Sequence, residues 1–83
     1  MQWIGLPVFI PGQRVKFIAK YSSEIEYGEK GTIVSHPYYT EGGVGGRVAV
    51  DWDKGNTTRH NCAGNARNNH GWIVSKRDIE IIF

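Results

Sequence analysis

His60, Cys62 and His70 fall within one stretch of the chain and carry the groups from which zinc sites and thiol nucleophiles are built. Zinc takes imidazole and thiolate ligands in a tetrahedral arrangement, and an imidazole beside a thiol lowers its pKa and accepts its proton. The spacing argues against both. Structural zinc is commonly held by two ligand pairs with short internal spacing, whereas here one His-x-Cys is followed by a lone, distant His, with no obvious fourth ligand. Nor can a third orienting group or an oxyanion element be identified for a catalytic thiol. The expected role of His60 and His70 is structural: they hydrogen-bond loop carbonyls and tie a glycine- and asparagine-rich segment to the fold, because buried loop backbone must find partners. No metal or cofactor is expected, and no catalytic residue is assigned.

Asp51 and Asp53 stand two apart, so on a strand they share a face, and with Glu80 nearby they could hold a cation or move protons. Solvated strand carboxylates are the simpler expectation. The segment from Lys54 to His70 contains Lys54, Arg59 and Arg67, several asparagines and no acidic residue. A surface for phosphate, sugar and base contacts, or for an acidic protein, is built from such residues. Tyr21, Tyr27, Tyr38, Tyr39 and Trp52 exceed what one small core requires, and tyrosine and tryptophan are enriched at binding hot spots. Tyr38-Tyr39 is the preferred anchor, so the candidate binding residues are Tyr38, Tyr39, Lys54, Arg59 and Arg67. Gly42, Gly43, Gly45 and Gly46 lack the strand, helix and Lys-Ser or Lys-Thr pair of a phosphate-cradling loop and read as a flexible tip.

The elements that must position these residues are short strands. Arg14 to Tyr21 alternates polar and apolar, with Val15 and Phe17 on one face. Ser22 to Gly31 reads as a long acidic loop carrying Glu24, Glu26 and Glu29. Thr32 to Ser35 is a β-branched run that His36-Pro37 ends, since proline lacks a ladder donor. Arg47 to Asp53 alternates again, with Val48, Val50 and Trp52 on one face. Lys54 to His70 has no apolar period, and loops of that length in a compact domain are usually functional or mobile. Gly71 to Val74 is the fourth strand, Ser75 to Asp78 a single 3₁₀ turn, and Ile79 to Phe83 the last strand. Residues 1–10 form an entry segment expected to pack Trp3, Leu6 and Phe9 on the body of the fold. Val15, Phe17, Ile33, Val48, Val50, Trp72 and Phe83 are assigned to the core.

With 83 residues the chain has room for one hydrophobic core and no second domain. Its 40% hydrophobic and 22% charged residues lie far from the disordered regime. Eleven glycines, recurring between runs of Val, Ile, Tyr, Phe and Trp, favour strands and turns over helices. The formal net charge of +2 permits contact with nucleic acid or acidic proteins but falls short of a polybasic arm. A single cysteine cannot form an internal disulfide, and no leader pattern or membrane-length apolar run is present, so a reducing, cytoplasmic setting without membrane contact is expected.

Gly12-Gln13-Arg14-Val15, Gly28 to Ile33, Val48 to Asp53 and Asp78-Ile79-Glu80, set in five strands with a long loop after the first and a 3₁₀ turn before the last, resemble the SH3-like small β-barrel superfamily over residues 11–83. The Gly-x-x-Gly-Thr-Ile and Val-x-Val-Asp-Trp-Asp patterns, with His60 and His70-Gly71-Trp72, look like small stand-alone barrels encoded by bacteriophages. The resemblance implies a mainly β, five-stranded SH3-like barrel. It also implies a protein that acts by occupying a host protein's surface, such as that of a defence nuclease complex. Eukaryotic peptide-binding SH3 domains carry an acidic-aromatic loop signature and paired groove tyrosines that this sequence lacks, so polyproline recognition is not expected.

Three functions follow in order. The first is a non-catalytic protein-interaction module, on the strength of small size, surplus aromatics, two long loops and no complete catalytic set. The second is a nucleic-acid-binding barrel using the basic loop 54–70. The third is an enzyme, ranked last because a small barrel offers little concave volume. An open edge strand would also suit a homodimer by added β pairing.

Overall fold

A computed structural model describes residues 9–20, 24–36 and 46–82. Five strands form one antiparallel sheet: β1 Arg14–Phe17, β2 Lys30–Ile33, β3 Arg47–Trp52, β4 Gly71–Ser75 and β5 Ile79–Ile81, with a 3₁₀ turn at Lys76–Asp78 before the last. Their order across the sheet is β4-β3-β2-β1-β5. The mainly β expectation and the 3₁₀ turn are thus found. Among the described residues the sheet is not closed between its two edge strands, β4 and β5.

Register explains which side chains meet. Val15 faces Gly31 across one ladder and Ile81 across the other, Ile33 faces Val50, and Val50 faces Trp72. Because strand side chains alternate, these pairings collect Val15, Phe17, Ile33, Val48, Val50, Trp52, Val74 and Ile79 on one face, where Ile25 joins them as a buried core. Phe17 and Trp52 meet edge to face at 6.0 Å and 81°, a favoured aromatic arrangement. Gly31 is the floor of this contact: a Cβ there would come within 2.6 Å of Val50 Cγ1 and 2.8 Å of the Asp51 carbonyl oxygen. Phe9 packs against the core as expected, with Ala19, Trp72 and Ile81 at its margin.

Several expectations are corrected. The first strand ends at Phe17, not Tyr21, where its pairing with β2 slips out of register: the Phe17 amide donates to the Glu29 carbonyl, but the Phe17 carbonyl accepts from Gly28. The second strand begins at Lys30, two residues early, and the last ends at Ile81. Trp52, grouped with the surplus aromatics, is fully buried, and its indole Nε1 has no hydrogen-bond partner. Trp3, Leu6, Tyr21, Tyr38, Tyr39 and Phe83 lie outside the described residues.

Candidate functional site

The stretch 54–70 is not uniformly surface. Its centre is Arg59, which is only 4% exposed. Asn56 starts the local structure: its side-chain oxygen accepts from the Thr58 and Arg59 amides, an Asx turn of the kind asparagine favours. That turn aims the guanidinium at the β1–β2 loop. Nε donates to Glu24 Oε2 at 2.8 Å, and the two Nη atoms form a fork on Glu29 at 3.0 and 2.9 Å. The remaining donors reach the carbonyls of Lys54 and Glu24. All five guanidinium hydrogens are accounted for, which is the condition a buried arginine must meet.

The carboxylates are held from the other side as well. Asn56 Nδ2 donates to Glu24 at 2.6 Å, and the Thr58 hydroxyl lies 2.5 Å from Glu24 Oε1 and 2.7 Å from Asn56 Oδ1, able to donate to one at a time. The Glu26 amide donates to Glu29. The Thr58 bond, followed by those of Asn56 and Arg59, holds the Glu24 carboxyl below its ordinary value against the opposing effect of burial. Arg59 therefore stitches the β1–β2 loop to the β3–β4 loop. The expectation that it presents charge outward is corrected: the sequence shows no acid within 54–70, but the fold brings Glu24 and Glu29 to it.

Cys62 is the second anchor. It is fully buried, with Sγ 3.9 Å from the Val50 carbonyl, and burial pushes its thiol up to about 11. Such a thiol is protonated and shielded, the reverse of an activated nucleophile. The backbone turns sharply here, with positive φ at Cys62, Ala63 and Gly64 in succession. Bonds from Gly64, Asn65 and Ala66 to the carbonyls of Asn61 and Cys62 hold the turn. Strained backbone of this kind persists only where surroundings enforce it.

The two histidines play different parts. His70 Nδ1 donates to the Trp52 carbonyl at 2.7 Å while the His70 carbonyl accepts the Trp52 amide. His60 Nδ1 instead accepts the Cys62 amide at 2.9 Å, which places its ring proton on Nε2. The His60 ring lies 5.4 Å from that of Trp72. His60 and Gly71 exchange both backbone hydrogen bonds, and a Cβ on Gly71 would press within 2.8 Å of Cys62 Sγ. Among the described residues no three His, Cys, Asp or Glu side chains gather as a metal would require.

Four further acids are also engaged. Arg67 is an exposed partner of the partly buried Asp51, contacting it through side chain and backbone amide. Burial raises the Asp51 carboxyl, and the Arg67 hydrogen bonds and charge more than reverse that. Asp53 takes a two-pronged contact from Arg14, which holds its carboxyl low. Glu80 lies 3.6 Å from Lys16, and Glu26 lies 3.9 Å from Lys54. The three carboxylates considered together in the sequence thus belong to three separate ion pairs.

What faces outward is the region around β4. On one flank, Arg59, His60, Asn61, Asn68 and Asn69 line a shallow depression of about 350 Å³. On the other, Gly46, Arg47, Ser75, Lys76 and Arg77 line a second, of about 510 Å³. Arg47 and Ser75 continue into a third, smaller one bounded by Phe17, Trp72, Ile73, Val74 and Asp78. Sequence reasoning missed Arg47, Lys76 and Arg77, because they are adjacent only once β3 and β4 pair Arg47 with Ser75. Comparison of the chain with protein-family models, with curated proteins and with solved structures finds no match.

Proposed function

We propose that the protein is a non-catalytic protein-binding module that engages its partner along β4 and the rigid loop beside it. The observation that carries this reading is the division of labour around β4. Groups capable of acid-base or nucleophilic chemistry are consumed in holding the loop: Arg59 with Glu24 and Glu29, Arg67 with Asp51, and Cys62 in the interior. The loop so held offers His60 against Trp72 and a set of asparagine side chains. A pre-ordered surface of aromatic and amide groups suits recognition, because little conformational entropy is lost on binding.

The strand order β4-β3-β2-β1-β5, with a 3₁₀ turn before β5, supports an SH3-like barrel as the architecture. By the sequence resemblance, the partner is a host protein such as a component of a defence nuclease complex. Basic residues 54–70 favour a nucleic-acid surface less than their number suggests, since each lysine or arginine among them contacts a carboxylate.

The test is affinity capture from a bacterial lysate with wild type and with Asn61→Arg/Asn68→Arg, before and after nuclease treatment. A single protein retained after nuclease and lost in the variant is the expected result. Retention of nucleic acid alone, or equal capture by the variant, overturns the reading.

A further inference from the structure

The backbone of β4 has an open side. The Trp52 amide donates to the His70 carbonyl and the Lys76 amide to the Gly46 carbonyl, so the β3-facing positions of this antiparallel ladder are the even-numbered residues Trp72 and Val74. Gly71, Ile73 and Ser75 point their N–H and C=O groups the other way. Gly71 spends both on His60. Ile73 then presents a donor and an acceptor, and Ser75 a donor, its carbonyl capping the 3₁₀ turn, at an edge to which, among the described residues, no strand is paired.

The same edge is electrically marked. Arg47 and Arg77 are exposed and, among the described residues, meet no carboxylate within ion-pair distance, and with Lys76 they surround the depression beside Ser75. Asp78 is the one carboxylate among the residues lining the adjoining hollow, with Phe17, Trp72 and Val74. Arg47 and Arg77, which meet no carboxylate among the described residues, leave this corner positive. Unpaired strand edges are templates for an added strand, and side-chain pockets beside them set which strand fits.

Resting on the protein-binding reading above, we propose that the partner contributes an extended, acidic segment that pairs with β4 at Ile73 and Ser75, with its carboxylates over Arg47 and Arg77. A polypeptide strand fits better than a nucleic-acid backbone. The edge offers the Ile73 carbonyl between two N–H donors, as a strand does, whereas phosphates and sugars offer that carbonyl few donors. The cationic corner selects acidic strands from others and gives the contact its salt dependence.

The probe is a peptide of alternating Val and Glu, with a Val/Lys peptide of equal length, a single-stranded oligonucleotide and a second copy of the chain as competing occupants. Binding is followed by amide NMR on wild type, on Ser75→Pro and on Arg47→Glu/Arg77→Glu. Ser75 has φ −73° and ψ 141°, compatible with proline, and its N–H points to the open edge, so the fold keeps its ladder. The expected result is protection of the Ile73 and Ser75 amides by the Val/Glu peptide only, at low salt. Affinity should fall at least about tenfold in each variant, as loss of a well-placed polar contact implies.

Absence of binding to wild type, or binding indifferent to Ser75→Pro, overturns the proposal. An oligonucleotide that binds Ser75→Pro normally but not the arginine variant replaces it with a phosphate site. A concentration-dependent dimer protecting the same amides replaces it with self-association. If lysate capture is lost in the asparagine variant while Ser75→Pro captures normally, the protein-binding reading stands without this inference. If neither variant affects capture, both fall.

Discussion

Two regions of the molecule carry clustered arginines and use them in opposite ways. In the β3–β4 loop, Lys54, Arg59 and Arg67 are each met by a carboxylate, and Arg59 is buried between two. At the corner where β3 begins and β4 ends, Arg47 and Arg77 border a depression and, among the described residues, meet no carboxylate. The loop that looks basic in the sequence is electrically quiet in the fold, and the unremarkable flanks of two strands become the positive corner. Formal charge becomes surface charge only where folding supplies no counter-ion.

The largest effect that would break this comparison is at Arg59. Replacing it with methionine leaves Glu24 and Glu29 without their guanidinium in a site almost closed to solvent, which for a buried pair costs about 3–5 kcal/mol of stability. Arg47→Met and Arg77→Met should change stability by no more than about 0.5 kcal/mol, as for ordinary surface positions. Urea unfolding of the three variants measures the contrast. A cost at Arg59 matching that at Arg47 would show that the clamp is solvent-screened and that the two regions do not differ.

The next effect compares the two ends of β4. Gly71→Ala sets a methyl against Cys62 Sγ and the His60 carbonyl, where the paired backbone bonds prevent retreat, and overpacking of this kind costs about 1–3 kcal/mol. Ser75→Pro, at the open end, should leave the melting temperature nearly unchanged. Calorimetry of both variants decides whether the anchored end is as rigid as its contacts imply.

The strands and much of the core were legible because period-two alternation survives in the sequence at Val15 and Phe17 and at Val48, Val50 and Trp52. The 3₁₀ turn was legible from the polar Ser75–Asp78 break between apolar runs. What could not be read was pairing at long separation. Glu24 and Arg59 are far apart in sequence, and only the return of the β1–β2 loop against Asn56 and Thr58 brings them together. A signal was present in the acid-free basic loop and the acidic one before β2, whose complementarity suggests a contact. Cys62 illustrates the same limit: without apolar neighbours in sequence, nothing marks it as interior until three residues with positive φ fold it under Gly71. Arg47 and Arg77 became neighbours only through register.

A smaller effect appears on acidification. The Glu24 carboxyl has an ordinary value of 4.5 and is lowered in the fold, so its contribution to stability is complete above 4.5 and disappears as pH falls through the lowered folded value. Stability measured from pH 7 downward should hold until below 4.5 and then decline. Glu24→Gln, already destabilised at neutral pH, should show a shallower decline. An acid limb of unchanged steepness in Glu24→Gln would assign the sensitivity to other carboxylates and detach it from the clamp.

The smallest effect is expected at Arg67, which shares a loop with Arg59 but sits largely in solvent, its side chain 60% exposed against 2% for Arg59. Exposed pairs contribute little because water already stabilises both charges. Arg67→Ala should therefore leave unfolding at neutral pH close to wild type. The Asp51 carboxyl, by contrast, loses the side-chain bonds and charge that reverse the effect of its burial, and keeps only the amide bond of residue 67. Its titration, followed by carboxyl-carbon NMR, should move upward. A large stability loss with no movement of Asp51 would mean that Arg67 acts as a second clamp through packing, and that burial is not what separates the two arginines.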